Sequence, residues 1–422
     1  MAEKIPYLTR DYNGSFTLIK EWMLFDGAKG CTPVDIEGIG LRLDKAPKPL
    51  PGQIFSPKTG QSAQAREQPA QSPRAELIAQ SEEDQAGKNA KKVAPFQLYD
   101  IVEGMKAEGF SNGARLAKRW FDGRRYSAYV YDDSKKKIIE GRYDADMIDT
   151  ETIKLGWLNR NRKIKERYDF LVSRIRSPNA INELQKIFHS FLYASPGFSG
   201  ELDTIRKLGG DLQNLHNRFQ FQRSPVSMFD GLVDVKIKNA GKFTQYLGMS
   251  DVSASLGNFN FYAAVARATV GRSVYNRYNT PQGDLSCRKN TVTVTHIYVY
   301  ARDSYSFHDQ HKASQYLGHW NKHGLVILWA AMAAHYITNY AKTGSTLDLP
   351  IEIDDTKIIP VSLNEAVSEK NIFYPVRNRD YREWQERHDR GGDFLIYSDL
   401  RLIELKEPIF LDLEEVCQPR QK

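Results

Sequence analysis

The chain has 422 residues, too many for one ordinary domain, and the length predicts two or three folded units. Its 59 basic and 52 acidic residues leave a net charge of +7, a mild excess that permits an anionic partner without requiring one. The cysteines Cys31, Cys287 and Cys417 are far apart, odd in number and without a CxxC pair. That pattern argues against a disulfide framework and a thiolate zinc site, and predicts folding in a reducing compartment.

The first residues, MAEKIPY, lack the basic-then-apolar pattern of a signal peptide. The expectation is a protein made in the bacterial cytoplasm, which needs another export route if it acts in a target cell. The longest apolar run, Gly324 to Ala341, falls short of the ~20 residues that cross a bilayer and carries His335 and Asn339. It reads as a buried core helix, so no transmembrane segment is expected.

Residues 1–43 mix aromatics with glycine and read as a small strand pair or a docking segment for a secretion-machinery component. Residues 44–94 hold Pro47, Pro49, Pro51, Pro57, Pro69 and Pro73 among Gln, Ala, Ser and Lys. Such a stretch buries too little apolar surface to offset its ordering entropy and reads as a flexible linker.

Residues 95–224 read as a mainly helical region. Phe96 to Met105 and Asn112 to Phe121 have helical spacing, with Ser111 or Asn112 as N-cap, and Tyr126 to Tyr131 alternates like a strand. Thr150 to Arg176 reads as one long basic helix, stopped by Ser177-Pro178, and Asn179 to Tyr193 as another. The basic helix suits nucleic acid, or equally a solvated face packed through Leu158, Ile164, Tyr168 and Leu171.

Residues 225–413 change character, and 414–422 form a tail. Val233 to Ile237 alternates like a strand; Ser253 to Val270 is rich in aromatic and small residues. Thr291 to Tyr300 (TVTVTHIYVY) is the strongest strand of the chain. Leu349 to Leu363 reads as a hairpin, Asp393 to Leu413 as one or two strands, and Asn321 to Tyr340 as a helix inserted among them. The fold class is therefore α+β: an N-terminal helical region, then a mainly antiparallel sheet or open β-barrel with one inserted buried helix.

After Tyr300 comes ARDSYSFHDQHK, then ASQYLGHWNKH. Here Arg302, Asp303, Tyr305, Asp309 and Lys312 stand among His308, His311, His319 and His323, and a strand end is where catalytic groups are often mounted. Histidine and carboxylate together supply proton transfer and metal or phosphate ligation. Each member also has a structural reading: Asp303 as a turn carboxylate, Tyr305 and Phe307 as core, His319 as a packed histidine beside Trp320. His388-Asp389-Arg390-Gly391-Gly392-Asp393 is a second polar group, either a surface turn or a phosphate cradle built from backbone amides and arginine. The motifs of P-loop ATPases, serine hydrolases and zincins are missing.

At Asp303-Ser-Tyr305-Ser-Phe307, Gln315-Tyr-Leu-Gly-His319-Trp320 and His388-Asp-Arg-Gly-Gly-Asp393-Phe394 the C-terminal half, roughly residues 165–413, resembles the bacterial DUF6402 proteins associated with type VI secretion and polymorphic-toxin loci. It is more distantly similar to the colicin M-type toxin domain, an open β-barrel that cleaves the lipid-linked peptidoglycan precursor with magnesium. Asp303, Tyr305 and Phe307 match that family's motif, His311-Lys312 lies near its His-Arg, and Ser255 to Phe259 looks like the strand before it. Ser306 stands where the family needs a second aspartate.

The resemblance implies an antibacterial effector with Asp303, Tyr305, Asp309 and His311 catalytic, and Mg2+ on Asp303 and Asp309. Arg302, Lys312, His319, His388 and Arg390 would hold the lipid-linked phosphoester, and a cognate immunity protein would be the partner. The runner-up reading is a non-enzymatic secretion accessory or binding module, which Ser306 favours. A third, nuclease-like reading rests on the basic helix, though nucleic acid is not the expected partner.

Overall fold

The structure is a computed structural model. It describes residues 41–50, 96–132, 137–239, 242–281, 283–309, 314–327 and 372–419, with the short strands Lys4–Ile5, Leu8–Thr9 and Trp22–Met23. The chain is an α+β mix and divides into two compact units. Unit 1 takes Met1–Arg142, Asp234–Leu247 and Ser306–Asp393; unit 2 takes Tyr143–Val233, Gly248–Tyr305 and Phe394–Lys422. No helix among the described residues is long and apolar enough to cross a membrane.

Unit 1 is organised by an aromatic core. The Ser111–Asp122 helix turns Ala114, Ala117, Trp120 and Phe121 inward at helical spacing, and the Asn378–His388 helix does the same with Tyr381 and Trp384. The ring centroids of Trp120 lie 5.1 Å from Phe307, 5.2 Å from Tyr381 and 5.9 Å from Trp384, in edge or tilted arrangements that such rings favour. Strands Tyr316–Asn321, Gly324–Val326 and Ile372–Arg377 form an antiparallel sheet, with Leu8–Thr9 pairing Ile372 and Phe373.

Two expectations change in unit 1. The helix expected from Asn321 does not start there: Asn321 ends a strand and pairs Gly324 across a two-residue turn. Leu325, expected inside that helix, instead faces Trp320 across the hairpin. The rest of the expected helix and the Leu349–Leu363 hairpin lie outside the described residues. The proline-rich linker, expected from residue 44, is tied down at its beginning. Lys45 O accepts Trp384 Nε1 at 3.2 Å and Lys48 O accepts Arg390 Nη1 at 2.7 Å.

In unit 2 the elements run β1 (Ile148–Asp149), α1 (Leu155–Leu158), α2 (Arg162–Ser173), α3 (Pro178–Ala194), β2 (Gly200–Asp203), α4 (Leu212–Phe219), β3 (Gln220–Val226), α5 (Asp251–Leu256), β4 (Phe259–Val270), β5 (Val274–Thr280), β6 (Gly283–Lys289), β7 (Thr291–Tyr305), β8 (Phe394–Tyr397), β9 (Arg401–Asp412) and β10 (Val416–Pro419). The long basic helix of the sequence reading is broken. Asn161 caps α2, its side chain accepting from Lys163 N at 3.1 Å and Ile164 N at 3.3 Å. Ser255 and Leu256, expected in a strand, close α5; Gly257, at φ 58, turns the chain into β4.

β7 is the spine of a seven-stranded sheet of order β3-β4-β7-β8-β1, with β9 also pairing β7 and β2 also pairing β4. The pairings are antiparallel except β8 with β1. Val292 and Val294 point inward on even positions, Ile297 and Val299 on odd ones, because a bulge between Val294 and His296 shifts the register. Helices cover both faces near β4: Tyr168 of α2 meets Phe261 edge-on at 5.6 Å, and His216 of α4 meets Tyr262 at 4.6 Å. A separate three-stranded sheet joins β5, β6 and β10.

β7 runs five residues beyond its expected end at Tyr300. Arg302, Asp303, Ser304 and Tyr305 pair Tyr397, Ile396, Leu395 and Phe394 of β8. These residues are therefore ladder members, where the sequence suggested a loop.

Candidate functional site

Of the expected catalytic residues, Tyr305 and Asp309 have specific partners. In unit 2, Tyr305 is buried and stacks on Phe394 at 5.0 Å; burial, then the charge of Asp303, pushes its phenol well above the ordinary value. Arg302 donates from Nε to Tyr397 Oη at 3.2 Å and lies over that ring. Asp303 is half-buried on the strand. In unit 1, Asp309 Oδ1 accepts from Gln315 N at 3.0 Å and Asn378 Nδ2 at 2.9 Å, tying its loop to a helix start. His311 and Lys312 lie outside the described residues.

Two of the histidines expected near the site, His319 and His308, pack against tyrosines of unit 1. His319 is buried in a strand with Nδ1 2.5 Å from Tyr316 Oη; burial and the nearby Arg377 hold it down at about 3. His323 is exposed in the following turn, so His319 and His323 do not share a helix face. His308 stacks on Tyr129 at 5.3 Å.

The His388–Asp393 loop is a structural joint of unit 1. His388 Nε2 donates to Leu43 O at 2.6 Å. The buried Arg390 donates from Nε to Gly123 O at 3.0 Å and from Nη2 to Asp122 O, closing the C-terminus of the Ser111–Asp122 helix with its cation. Asp393, fully buried, accepts from Trp120 Nε1 at 3.0 Å, Ala128 N at 3.0 Å and Arg382 Nη2 at 2.8 Å.

A second histidine centre, which no sequence motif marks, lies in unit 2. His216 Nδ1 pairs Tyr300 Oη at 2.9 Å beneath α4, and Tyr262, Tyr300 and Tyr397 form a row of rings spaced 5.9 Å and 5.8 Å. Burial, with the charge of Arg302, lowers His216 to about 3, so the ring is neutral at pH 7. Its partners come from strands far along the chain, and no local spacing signals them.

Mg2+ was expected on Asp303 and Asp309. Asp303 belongs to unit 2 and Asp309 to unit 1, where one of its oxygens already accepts two N–H groups. Among the described residues, one group of metal-ligating type comes together: Cys287, Glu415 and Cys417. Its two sulfurs are joined as a disulfide, against the expectation of free thiols. The sequence separation of 130 residues hid the pairing, which β6–β10 register creates by setting Cys287 opposite Cys417.

Beside that disulfide lies an open cleft of about 290 Å3, lined mainly by apolar surface. His189, Leu192 and Tyr193 from the end of α3 form one side; Arg288 of β6, Leu413 and Val416 form the rest. Arg288 is anchored by Nη2 on Leu192 O at 3.3 Å. The register sets Tyr275, Arg288 and Val416 side by side across β5, β6 and β10. Tyr193 and Tyr275 are 77% and 65% exposed, so two tyrosines, an arginine and a valine make one open strip. Large exposed aromatics beside an arginine are the residue types that dominate protein contacts.

The sequence profile of one family, described as a family of unknown function (DUF6402), matches residues 96–413. The chain belongs to the DUF6402 family. The match starts well before residue 165 and takes in this chain's helices from Ile101 onward. No curated protein and no solved structure matches the chain.

Proposed function

We propose that this DUF6402 protein is a non-enzymatic binding module of a bacterial export system, holding a protein partner on the strip formed by Tyr193, Tyr275, Arg288 and Val416. One observation carries the reading: five of the polar groups expected in a site are spent on the fold, while large aromatics stand in solvent. Arg390, His388, His319, Asp309 and Asp393 each hold a named backbone or side-chain group. The cleft beside Tyr193 has the size of a side chain or two, and the partner that fits offers an apolar anchor there. The exposed Arg277 and the rim Arg288 favour an acidic residue next to that anchor. Export as the setting rests on the resemblance read at Asp303 to Phe307 and His388 to Phe394, which implies type VI secretion and polymorphic-toxin loci.

The test compares immobilised wild-type chain with Tyr193→Asp and Tyr275→Asp chains of unchanged circular dichroism. One defined polypeptide retained by the wild type and lost by both variants is the expected result. Equal retention by all three overturns the strip assignment.

A second reading, an antibacterial effector acting on a lipid-linked phosphoester, has Arg302 and the half-buried Asp303 at the end of β7 in its favour. Its assay is release of the pyrophosphoryl fragment from a polyprenyl-linked sugar, with Mg2+ and with chelator, by wild-type and Asp303→Ala chains. Release that Asp303→Ala abolishes selects this reading, and makes an immunity protein the partner to seek.

A further inference from the structure

We propose that β10 is a redox latch: Cys287 and Cys417 are thiols in a reducing compartment, and their oxidation in a second compartment fixes the C-terminal wall of the cleft. All four residues of β10, Val416 to Pro419, are exposed. Burial of its own side chains therefore does not hold this strand. It is attached by a ladder of Leu285, Ser286, Cys287 and Arg288 with Pro419, Gln418, Cys417 and Val416, and by the disulfide. A short ladder at a chain end frays readily, whereas a covalent cross-link does not.

The two sulfurs are unequally placed for the chemistry. Cys287 is fully buried and Cys417 is exposed. The oxidant is a disulfide-bearing molecule, either a dithiol oxidase or glutathione disulfide. The Cys417 thiolate attacks one sulfur of that disulfide, breaks its S–S bond and releases one thiol. The Cys287 thiolate then attacks Cys417 Sγ and expels the second thiol. Cys287 and Cys417 together give up two electrons and two protons, and the oxidant leaves as two thiols. In the disulfide-bonded state Glu415 accepts from Asn276 Nδ2 and from Tyr278 Oη at 3.0 Å, which joins the turn entering β10 to β5.

The consequence falls on the cleft. Val416 precedes Cys417 and, by strand alternation, faces the opposite side, toward Arg288 and the cleft. Locking Cys417 fixes Val416, and reduction frees it. For this consequence the latch rests on the binding reading. The tests below read thiols and proteolysis rather than partner capture, so the two fail separately.

The test uses the full chain, made in a reducing bacterial cytoplasm or directed by an added signal to an oxidising periplasm. Denatured samples are titrated with a maleimide-polymer. Three adducts are expected from the reduced chain and one, on Cys31, from the oxidised chain, with Cys31→Ser giving none when oxidised. A glutamate-specific protease is expected to cut at Glu414 or Glu415 at least tenfold faster in reduced chain. The Cys287→Ser/Cys417→Ser chain should be cut fast in either condition. Three adducts from both compartments would overturn the latch. So would equal cleavage in the two redox states, or a reduced chain that holds one Zn2+ through these residues and resists oxidation by glutathione disulfide.

Discussion

The indole of Trp120 donates from Nε1 to Asp393 Oδ1 at 3.0 Å, linking residues 273 positions apart in unit 1. The same carboxylate takes Ala128 N and Arg382 Nη2, so one fully buried charge satisfies an indole, a backbone amide and a guanidinium. Removing it leaves those donors without an acceptor in a site closed to bulk water. Breaking one partner of a buried charge pair costs about 3–5 kcal/mol. Asp393→Ala is expected to lower the unfolding free energy from urea titration by that amount, and Asp393→Asn, which keeps one acceptor oxygen, by less. Equal midpoints for wild type and Asp393→Ala would remove Asp393 from the centre of unit 1.

Gly391 packs against the other side of the same indole. Its φ is 92, and a Cβ built there would meet Trp120 Cη2 at 2.7 Å. Gly391→Ala therefore combines left-handed strain of about 1–2 kcal/mol with overpacking of about 1–3 kcal/mol. The expected readout is a lower melting temperature with a disturbed tryptophan near-ultraviolet signal. An unshifted melt would mean that the loop relaxes away from Trp120.

Much of this fold is legible in the sequence wherever residue type and period agree. The β-branched run from Thr291 gives β7, and the apolar spacing of Leu184, Phe188 and Phe191 gives α3. Legibility fails where tertiary contacts override local preference. Asp303 and Ser304 are weak strand formers, yet β8 pairs them and carries β7 on to Tyr305. In His388–Asp393, arginine beside two glycines suggests an anion cradle. The guanidinium instead meets the carbonyls of Asp122, Gly123 and Lys48, which no short spacing announces.

Asn161 marks the break in the basic segment, and its cap is measurable. Asn161→Ala removes the acceptor for Lys163 N and Ile164 N at the start of α2. A lost N-cap of this type costs about 1 kcal/mol. The expected result is a drop of that size in unfolding free energy, largely restored by Asn161→Asp. If both variants match the wild type, α2 does not depend on its cap.

Stability should fall on mild acidification. His216 and His319 are each held down at about 3 in the fold, chiefly by burial, whereas an unfolded histidine titrates near about 6.5. Above that value neither state is protonated and the rings contribute no pH dependence. Between about 6.5 and about 3 the unfolded chain binds protons that the folded chain refuses, so stability drops with pH; below, the loss levels off. His216→Gln and His319→Gln should each flatten the melting temperature between about pH 7.5 and about pH 5. A wild-type slope retained in both variants would assign the acid sensitivity to other groups.

The binding strip makes a prediction that separates stability from function. Tyr193 ends its helix with its side chain 77% exposed, so Tyr193→Asp should change unfolding free energy by no more than about 0.5 kcal/mol. A tyrosine at the centre of a contact commonly contributes about 2 kcal/mol or more to partner affinity, roughly a thirtyfold change. Near-neutral melting with a large loss of retention is expected only if Tyr193 touches a partner. Lys186→Ala is the matched control: it lies on the same helix and is paired with Glu183 at 2.7 Å. It should leave both quantities unchanged, because a surface ion pair of this kind is worth little. If Tyr193→Asp and Lys186→Ala retain the partner equally, the exposed tyrosine is only solvated surface and the strip is not where the protein binds.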